Sequence, residues 1–135
     1  MNNYMYYQGN ITTLNSNEIF VFGSNLKGVH GAGAAKYARD NFRAELGRGY
    51  GFTGECYALP TKDHNIRTMA LDSIGIYIND FIRAASEFPD YRFMVTKVGC
   101  GLAGYSDGDI APMFKDSPPN CVFHSDWMPY LERTA

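Results

Sequence analysis

Phe20-Val-Phe-Gly-Ser-Asn-Leu-Lys-Gly-Val-His-Gly-Ala-Gly-Ala-Ala35 changes character twice along its length. It opens within the apolar run Glu18-Ile-Phe-Val-Phe22, short enough for a buried strand. It passes through a loop with glycine at Gly28, Gly31 and Gly33. It then enters Ala34 to Leu46, where Tyr37, Ala38, Phe42 and Leu46 recur at helical spacing. Strand, glycine loop and helix in succession form the working unit of an α/β fold.

The flanking segments extend the same alternation. Residues 4–8 (Tyr-Met-Tyr-Tyr-Gln) read as an edge strand closed by a Gly9-Asn10 turn. Arg48 to Gly54 is glycine-rich and reads as a flexible connection. Cys56 to Leu59 reads as a strand ending at Pro60. Met69 to Phe88 carries Ile74, Ile78, Phe81, Ile82 and Ala85, which predicts a long amphipathic helix. Arg92 to Val98 predicts a strand, Asp109 to Phe114 a short helix, and Asn120 to His124 a last strand. The expected architecture is a three-layer α/β/α sandwich over a mixed, largely parallel sheet, forming one domain over residues 1–135. Such sheets place ligands at the carboxyl ends of their strands, where both glycine loops of this chain fall.

Composition narrows the function. The 45% hydrophobic and 19% charged content is that of a globular protein. A net charge of −2 and scattered basic residues argue against a groove that tracks nucleic-acid backbone, and no sequence-specific nucleic-acid binding is expected. A single nucleotide is different, because backbone N–H groups can hold its phosphates. No run of about 18 apolar residues occurs, so no membrane span is expected. The opening residues lack the basic and apolar regions of a secretory signal. Cys56, Cys100 and Cys121 are too few and too dispersed for a zinc motif or disulfide framework, which points to a reducing cytoplasm. No metal or cofactor is expected. His64 and His124 have no evident partners.

Of the 14 glycines, those from Gly23 to Gly54 and from Gly99 to Gly108 form two concentrations. Gly99-x-Gly101-x-x-Gly104 suits a strand–turn–helix anion site, or a tight turn that needs left-handed backbone. Asp126, about twenty residues on, gives a Rossmann reading some support. Against it, only one strand follows the motif. Two such loops in one small domain suggest a ligand with two phosphates, or a phosphate flanked by sugars.

At this point three segments, in order, resemble the macrodomain family, the ADP-ribose-binding α/β/α fold. Gln8-Gly-Asn-Ile-Thr12 is similar to that family's Gly-Asp-Ile-Thr. Val21-Phe-Gly-Ser-Asn25 with Leu26 and Gly31-Ala-Gly-Ala-Ala35 is similar to its strand–Asn–Leu–glycine loop–helix segment. Val98-Gly-Cys-Gly-Leu-Ala-Gly-Tyr105 is similar to its second phosphate loop. Tyr57-Ala-Leu-Pro-Thr-Lys62 and the Gly-Cys-Gly-Leu loop particularly resemble the terminal ADP-ribose glycohydrolase branch. The resemblance spans roughly residues 5 to 127. The chain is also similar to small phage and bacterial proteins.

The resemblance implies roles position by position. Asn10 matches an aspartate that contacts the adenine amino group; as an amide it loses the charge and gains a donor. Ile11 matches a neighbour whose N–H meets the base. Asn25 matches an asparagine at the distal ribose. Gly31, Ala32 and Gly33 match the loop beside that ribose and the diphosphate. Gly99, Cys100, Gly101, Leu102, Ala103 and Gly104 match the loop around the diphosphate, with Tyr105 near the distal sugar. Lys62 matches a lysine that attacks the anomeric carbon of the distal ribose, assisted by an aspartate whose position is Ala103 here. Asp107 or Asp109 is the acid left to replace it. Asn25 and His30 are the candidates for orienting a hydrolytic water. Cys100 is either a thiol activated beside a helix N-terminus or a small core side chain. Trp127, Phe123 and Tyr130 either wall the base or pack the core. The chain has no Glu-Glu pair, so cleavage of poly-ADP-ribose is not expected. The implied partner is ADP-ribose or a related nucleotide, free or on an ADP-ribosylated macromolecule. Two activities stay open: hydrolysis of that modification or of an ADP-ribose derivative, and catalytically silent binding.

Overall fold

Alternate residues of the central strands face opposite ways, and the two sets of apolar side chains meet different helices. In β2 (Glu18–Asn25), Phe20 and Phe22 face one side and Val21 the other. In β4 (Cys56–Lys62), Cys56 and Ala58 share the first side, while Tyr57 and Leu59 share the second. This two-residue period with both faces apolar marks a sheet covered on both faces. The computed structural model describes residues 4–132. Residues 1–3 and 133–135 of the expected 1–135 domain lie outside the described residues.

The first face is covered by α1 (Gly33–Phe42), which packs Ala35, Ala38 and Phe42 onto Phe20 and Phe22. The second is covered by α2 (Leu71–Glu87), which buries Ile74, Ile78, Phe81 and Ala85. Beside α2 lie α3 (Asp107–Ile110), a following 3-10 turn and α4 (Met128–Leu131), which contribute Ile110, Phe114 and Leu131 to the same core. The remaining strands are β1 (Met5–Tyr7), β3 (Gly51–Thr53), β5 (Arg92–Val95) and β6 (Cys121–His124). The sheet order is β1-β6-β5-β2-β4-β3, and only the β3–β4 pair is antiparallel. This is the expected three-layer mixed sandwich. It is not the 3-2-1-4-5-6 order of a Rossmann sheet.

Four local expectations need correction. Helix α1 stops at Phe42 instead of Leu46. Arg43 turns into left-handed backbone at φ 64, and the Phe42 carbonyl is claimed by the N–H of Glu55 at 2.9 Å. Strand β4 continues through Pro60 to Lys62. Its register with β2 shifts there, from Ser24↔Pro60 to Asn25↔Lys62, and such an irregularity is where a strand tolerates proline. Strand β5 ends at Val95 rather than Val98. The Arg48 to Gly54 stretch is an ordered piece of the fold, because it contains strand β3.

Candidate active site

The carboxyl ends of β2, β4 and β5 open into a cavity of about 570 Å³. Its floor includes Gly23, Ser24, Thr61 and Val98, and its walls are the two glycine loops, Gly31 to Ala35 and Gly99 to Ala103. The walls approach each other across the cleft: a Cβ at Gly33 would lie 3.5 Å from Leu102 Cδ1. A second cavity of about 530 Å³, lined by Tyr7, Asn10, Ile11, Phe20, Tyr37 and His124, adjoins the first. The two share Gly33, Ala34, Thr96 and Lys97. Both volumes fall in the usual range for small-molecule sites.

The cavity walls present uncommitted backbone donors. Helix α1 has alanine at its N-cap, no side-chain cap and no acidic residue in its first turn. Its leading N–H groups and positive dipole end are therefore left open on the cleft. In the second loop, the N–H groups of Gly99, Gly101, Leu102 and Ala103 donate to nothing among the described residues. Among the described residues neither cavity is lined by a carboxylate, and the Lys and Arg side chains that line them are Lys62 and Lys97. A negatively charged chain thus carries a cleft suited to an anion.

The first loop is held from behind. Asn25 donates from Nδ2 to the Val29 carbonyl at 2.8 Å and accepts from the Val29 N–H at 3.0 Å. The segment from Glu45 to Gly49 packs under it. The Gly47 N–H donates to the Gly28 carbonyl at 2.8 Å, and Ser24 Oγ donates to the Gly49 carbonyl. Gly49 admits no side chain, because its Cβ would overlap the Asn25 carbonyl oxygen. The glycines of that stretch serve close backbone approach, which the sequence reading took for flexibility.

No protein-family model matches this chain, and no curated protein matches it. Among solved structures it is similar to the macrodomain of Mycobacterium tuberculosis DarG, with a TM-score of 0.67 and 21% identity over 90% of this chain and 97% of that one. The chain has the macrodomain fold.

On this macrodomain fold the sequence-derived positions divide. Lys62, Asn25, Gly31, Ala32, Gly33, Gly99, Gly101, Leu102 and Ala103 line the first cavity. Asn10 and Ile11 line the second. Five residues fall outside both. His30 is fully buried, its ring edge-on to Phe22 and its Nε2–H donating to the Glu45 carbonyl at 3.0 Å, so it orients no water in the cleft. Asp107 lines neither cavity; its carboxylate accepts from Trp127 Nε1 at 2.9 Å and pairs with Lys97 at 3.2 Å. Burial works against its ionised form, but the Trp127 and Lys97 hydrogen bonds outweigh that and hold its carboxyl below the usual range. Tyr105 lines neither cavity and donates its hydroxyl to the Met69 carbonyl at 2.7 Å. Gly104 closes the loop turn, its N–H bonded to the Gly101 carbonyl at 3.0 Å. Cys100 packs against the core, and burial, followed by the Asp107 charge, pushes its thiol up to about 12. The surroundings of this thiol favour its protonated form, the opposite of what activates a cysteine.

Asp109 is no free acid either; it completes a capping box with Ser106. Trp127 and Phe123 are buried in the core. His124 does have partners: Nδ1 accepts from the Asp126 N–H at 3.0 Å, and Tyr7 meets its ring edge-on. Lys97 was missed by sequence reading. It lines both cavities and bridges Asp107 and Asp126, at 3.2 and 3.1 Å. Burial alone would lower its pKa, but the bonds to Asp126 and Asp107 raise it. Among the described residues no group of three His, Cys, Asp or Glu side chains is placed to hold a metal. No helix among them is long and apolar enough to cross a membrane.

Proposed function

We propose that the adjoining cavities bind ADP-ribose or a related nucleotide. The observation that carries this reading is the pair of donor-rich walls, the uncapped α1 N-terminus and the Gly99 to Ala103 loop, facing one carboxylate-free cavity. The diphosphate is held between those walls, the distal ribose lies toward Lys62 and Asn25, and the base occupies the second cavity beside Asn10 and Ile11. The macrodomain fold supports the same reading.

A second reading is removal of ADP-ribose from a modified macromolecule or processing of an ADP-ribose derivative. Lys62 favours it: the side chain lines the cavity and makes no ion pair among the described residues, so no carboxylate holds it away from a bound sugar, and attack would further require loss of its proton. The second loop offers Ala103 where an acid would assist, and Asp107 is engaged elsewhere. Binding therefore stands ahead of catalysis.

Calorimetry with ADP-ribose tests the first reading; saturable heat and a rise in melting temperature are expected, and neither appearing refutes it. Incubation with a mono-ADP-ribosylated protein tests the second. Release of ADP-ribose that Lys62→Ala abolishes supports it, and tight binding without release by the wild type eliminates it for that substrate.

A further inference from the structure

The chain doubles back tightly at the end of β4. Residues 61–63 and 67–69 run antiparallel: the Met69 N–H donates to the Thr61 carbonyl at 2.9 Å, the Asp63 N–H to the Arg67 carbonyl at 2.9 Å, and Lys62 is bridged to Thr68. Within the turn, the Asp63 carboxylate accepts from the N–H groups of Asn65 at 2.8 Å and Arg67 at 3.0 Å. Ile66 takes φ 60 there, a left-handed conformation that β-branched side chains almost never adopt. The strain brings no burial, since Ile66 belongs to neither core cluster and is 41% exposed. Strain that packing does not offset points to a positional purpose. The residue this turn holds in place is Thr68, whose Oγ1 donates to the Ala103 carbonyl of the second glycine loop at 3.0 Å.

That bond begins a series. A trans peptide is planar, so its C=O and N–H point in opposite directions. The Ala103 carbonyl shares its peptide with the Gly104 N–H, which donates to the Gly101 carbonyl at 3.0 Å. The Gly101 carbonyl shares its peptide with the Leu102 N–H, which donates to nothing among the described residues. One hydroxyl, two peptide units and one open N–H thus stand in line, each donor meeting the next acceptor. Gly101 and Leu102, which share the last peptide, both line the first cavity. Hydrogen bonds in series polarise one another, so the hydroxyl at one end fixes the first peptide plane and strengthens the donor at the other. Resting on the nucleotide reading above, we propose that Thr68 is a positioning residue for the ligand's diphosphate, acting through the Ala103–Gly104 and Gly101–Leu102 peptides to aim and polarise the Leu102 N–H. Thr68 itself touches no phosphate. The strained turn and the anion-binding loop are two ends of one device.

The test titrates ADP-ribose into the full chain and into Thr68→Val and Thr68→Ser, by calorimetry and by amide NMR of the nitrogen-15-labelled proteins. Valine keeps the branched shape and removes the hydroxyl; serine keeps the hydroxyl. Thr68 is exposed, so water replaces the lost bond and Thr68→Val should melt within about 2 °C of the wild type. It should nevertheless bind ADP-ribose about fivefold more weakly, and Thr68→Ser should recover most of that loss. In the wild type the Leu102 amide proton should move downfield on binding, and in Thr68→Val it should move less. Thr68→Val binding as tightly as the wild type, or Thr68→Ser binding no better than Thr68→Val, overturns the positioning role alone. So does a Leu102 amide that ADP-ribose leaves unmoved in the wild type, a result that needs no variant to fold. No binding of ADP-ribose by the wild type overturns the nucleotide reading and the positioning role with it.

Discussion

Gly49→Ala isolates the device that shapes the first glycine loop. A Cβ at this position would overlap the Asn25 carbonyl oxygen and stand 3.0 Å from the Asn25 carbonyl carbon and 3.1 Å from the Gly28 nitrogen. All three are backbone atoms, so no side-chain rotation relieves the collision. Gly49 does not have left-handed backbone, which makes the effect steric rather than torsional. The Glu45 to Gly49 segment must retreat. Retreat strains the Gly47–Gly28 and Ser24–Gly49 hydrogen bonds and the His30–Glu45 contact. Overpacking costs about 1–3 kcal/mol, and each lost hydrogen bond adds about 0.5–1.5 kcal/mol. A total of about 3 kcal/mol lowers the melting temperature of a domain this size by about 10 °C. Thermal denaturation followed by circular dichroism reads this directly. Gly101→Ala is the control, since a Cβ there meets nothing within 4 Å, and its melting temperature should stay near that of the wild type. A Gly49→Ala protein that melts within about 2 °C of the wild type refutes the steric argument.

Two further outcomes follow from the charges and thiols. The Asp107 carboxyl is held below its ordinary range in the folded protein, so its contribution is complete above about pH 4 and is lost as pH falls through the lowered folded value. Melting temperature measured from pH 6 to pH 3 should therefore fall less steeply in Asp107→Asn than in the wild type; parallel curves would show that the Trp127 and Lys97 contacts do not favour the ionised form. Burial pushes the thiols of Cys56, Cys100 and Cys121 each up to about 12. A disulfide reagent at pH 8 should label all three slowly in the native protein and rapidly in denaturant, and fast native labelling of Cys100 would contradict its placement.

The layers were legible because they rest on local pattern. Ile74, Ile78, Phe81 and Ala85 recur at helical spacing, and they are the residues α2 buries. Backbone loops were legible for a similar reason, since glycine placement reports the approach of the main chain regardless of which side chains surround it. Side-chain roles were less legible. Asp107 looked available because Trp127, twenty residues away in sequence, gives no sign there that it will claim the carboxylate. His30 looked like a polar loop residue because the Glu45 carbonyl that accepts from it lies in another loop. Lys97 stood in no motif, and only the fold brings Asp107 and Asp126 to it. Ile66 carried no sequence signal, because unusual backbone at a β-branched residue is set by the bonds that Asp63 makes around it.

The two faces of the sheet are unequally upholstered. The α2 side is packed with aromatic and branched side chains, among them Phe81, Phe93, Phe114 and Trp127. The α1 side rests largely on alanines and a few phenylalanines. Regions with less buried apolar contact open at lower free energy than the whole molecule. Helix α1 and the loop before it can thus exchange their amides through local opening while the α2 side stays closed. The donors at the start of α1 belong to that looser half, so an anion seated on them acts as a clasp on the part of the molecule least secured by its own packing.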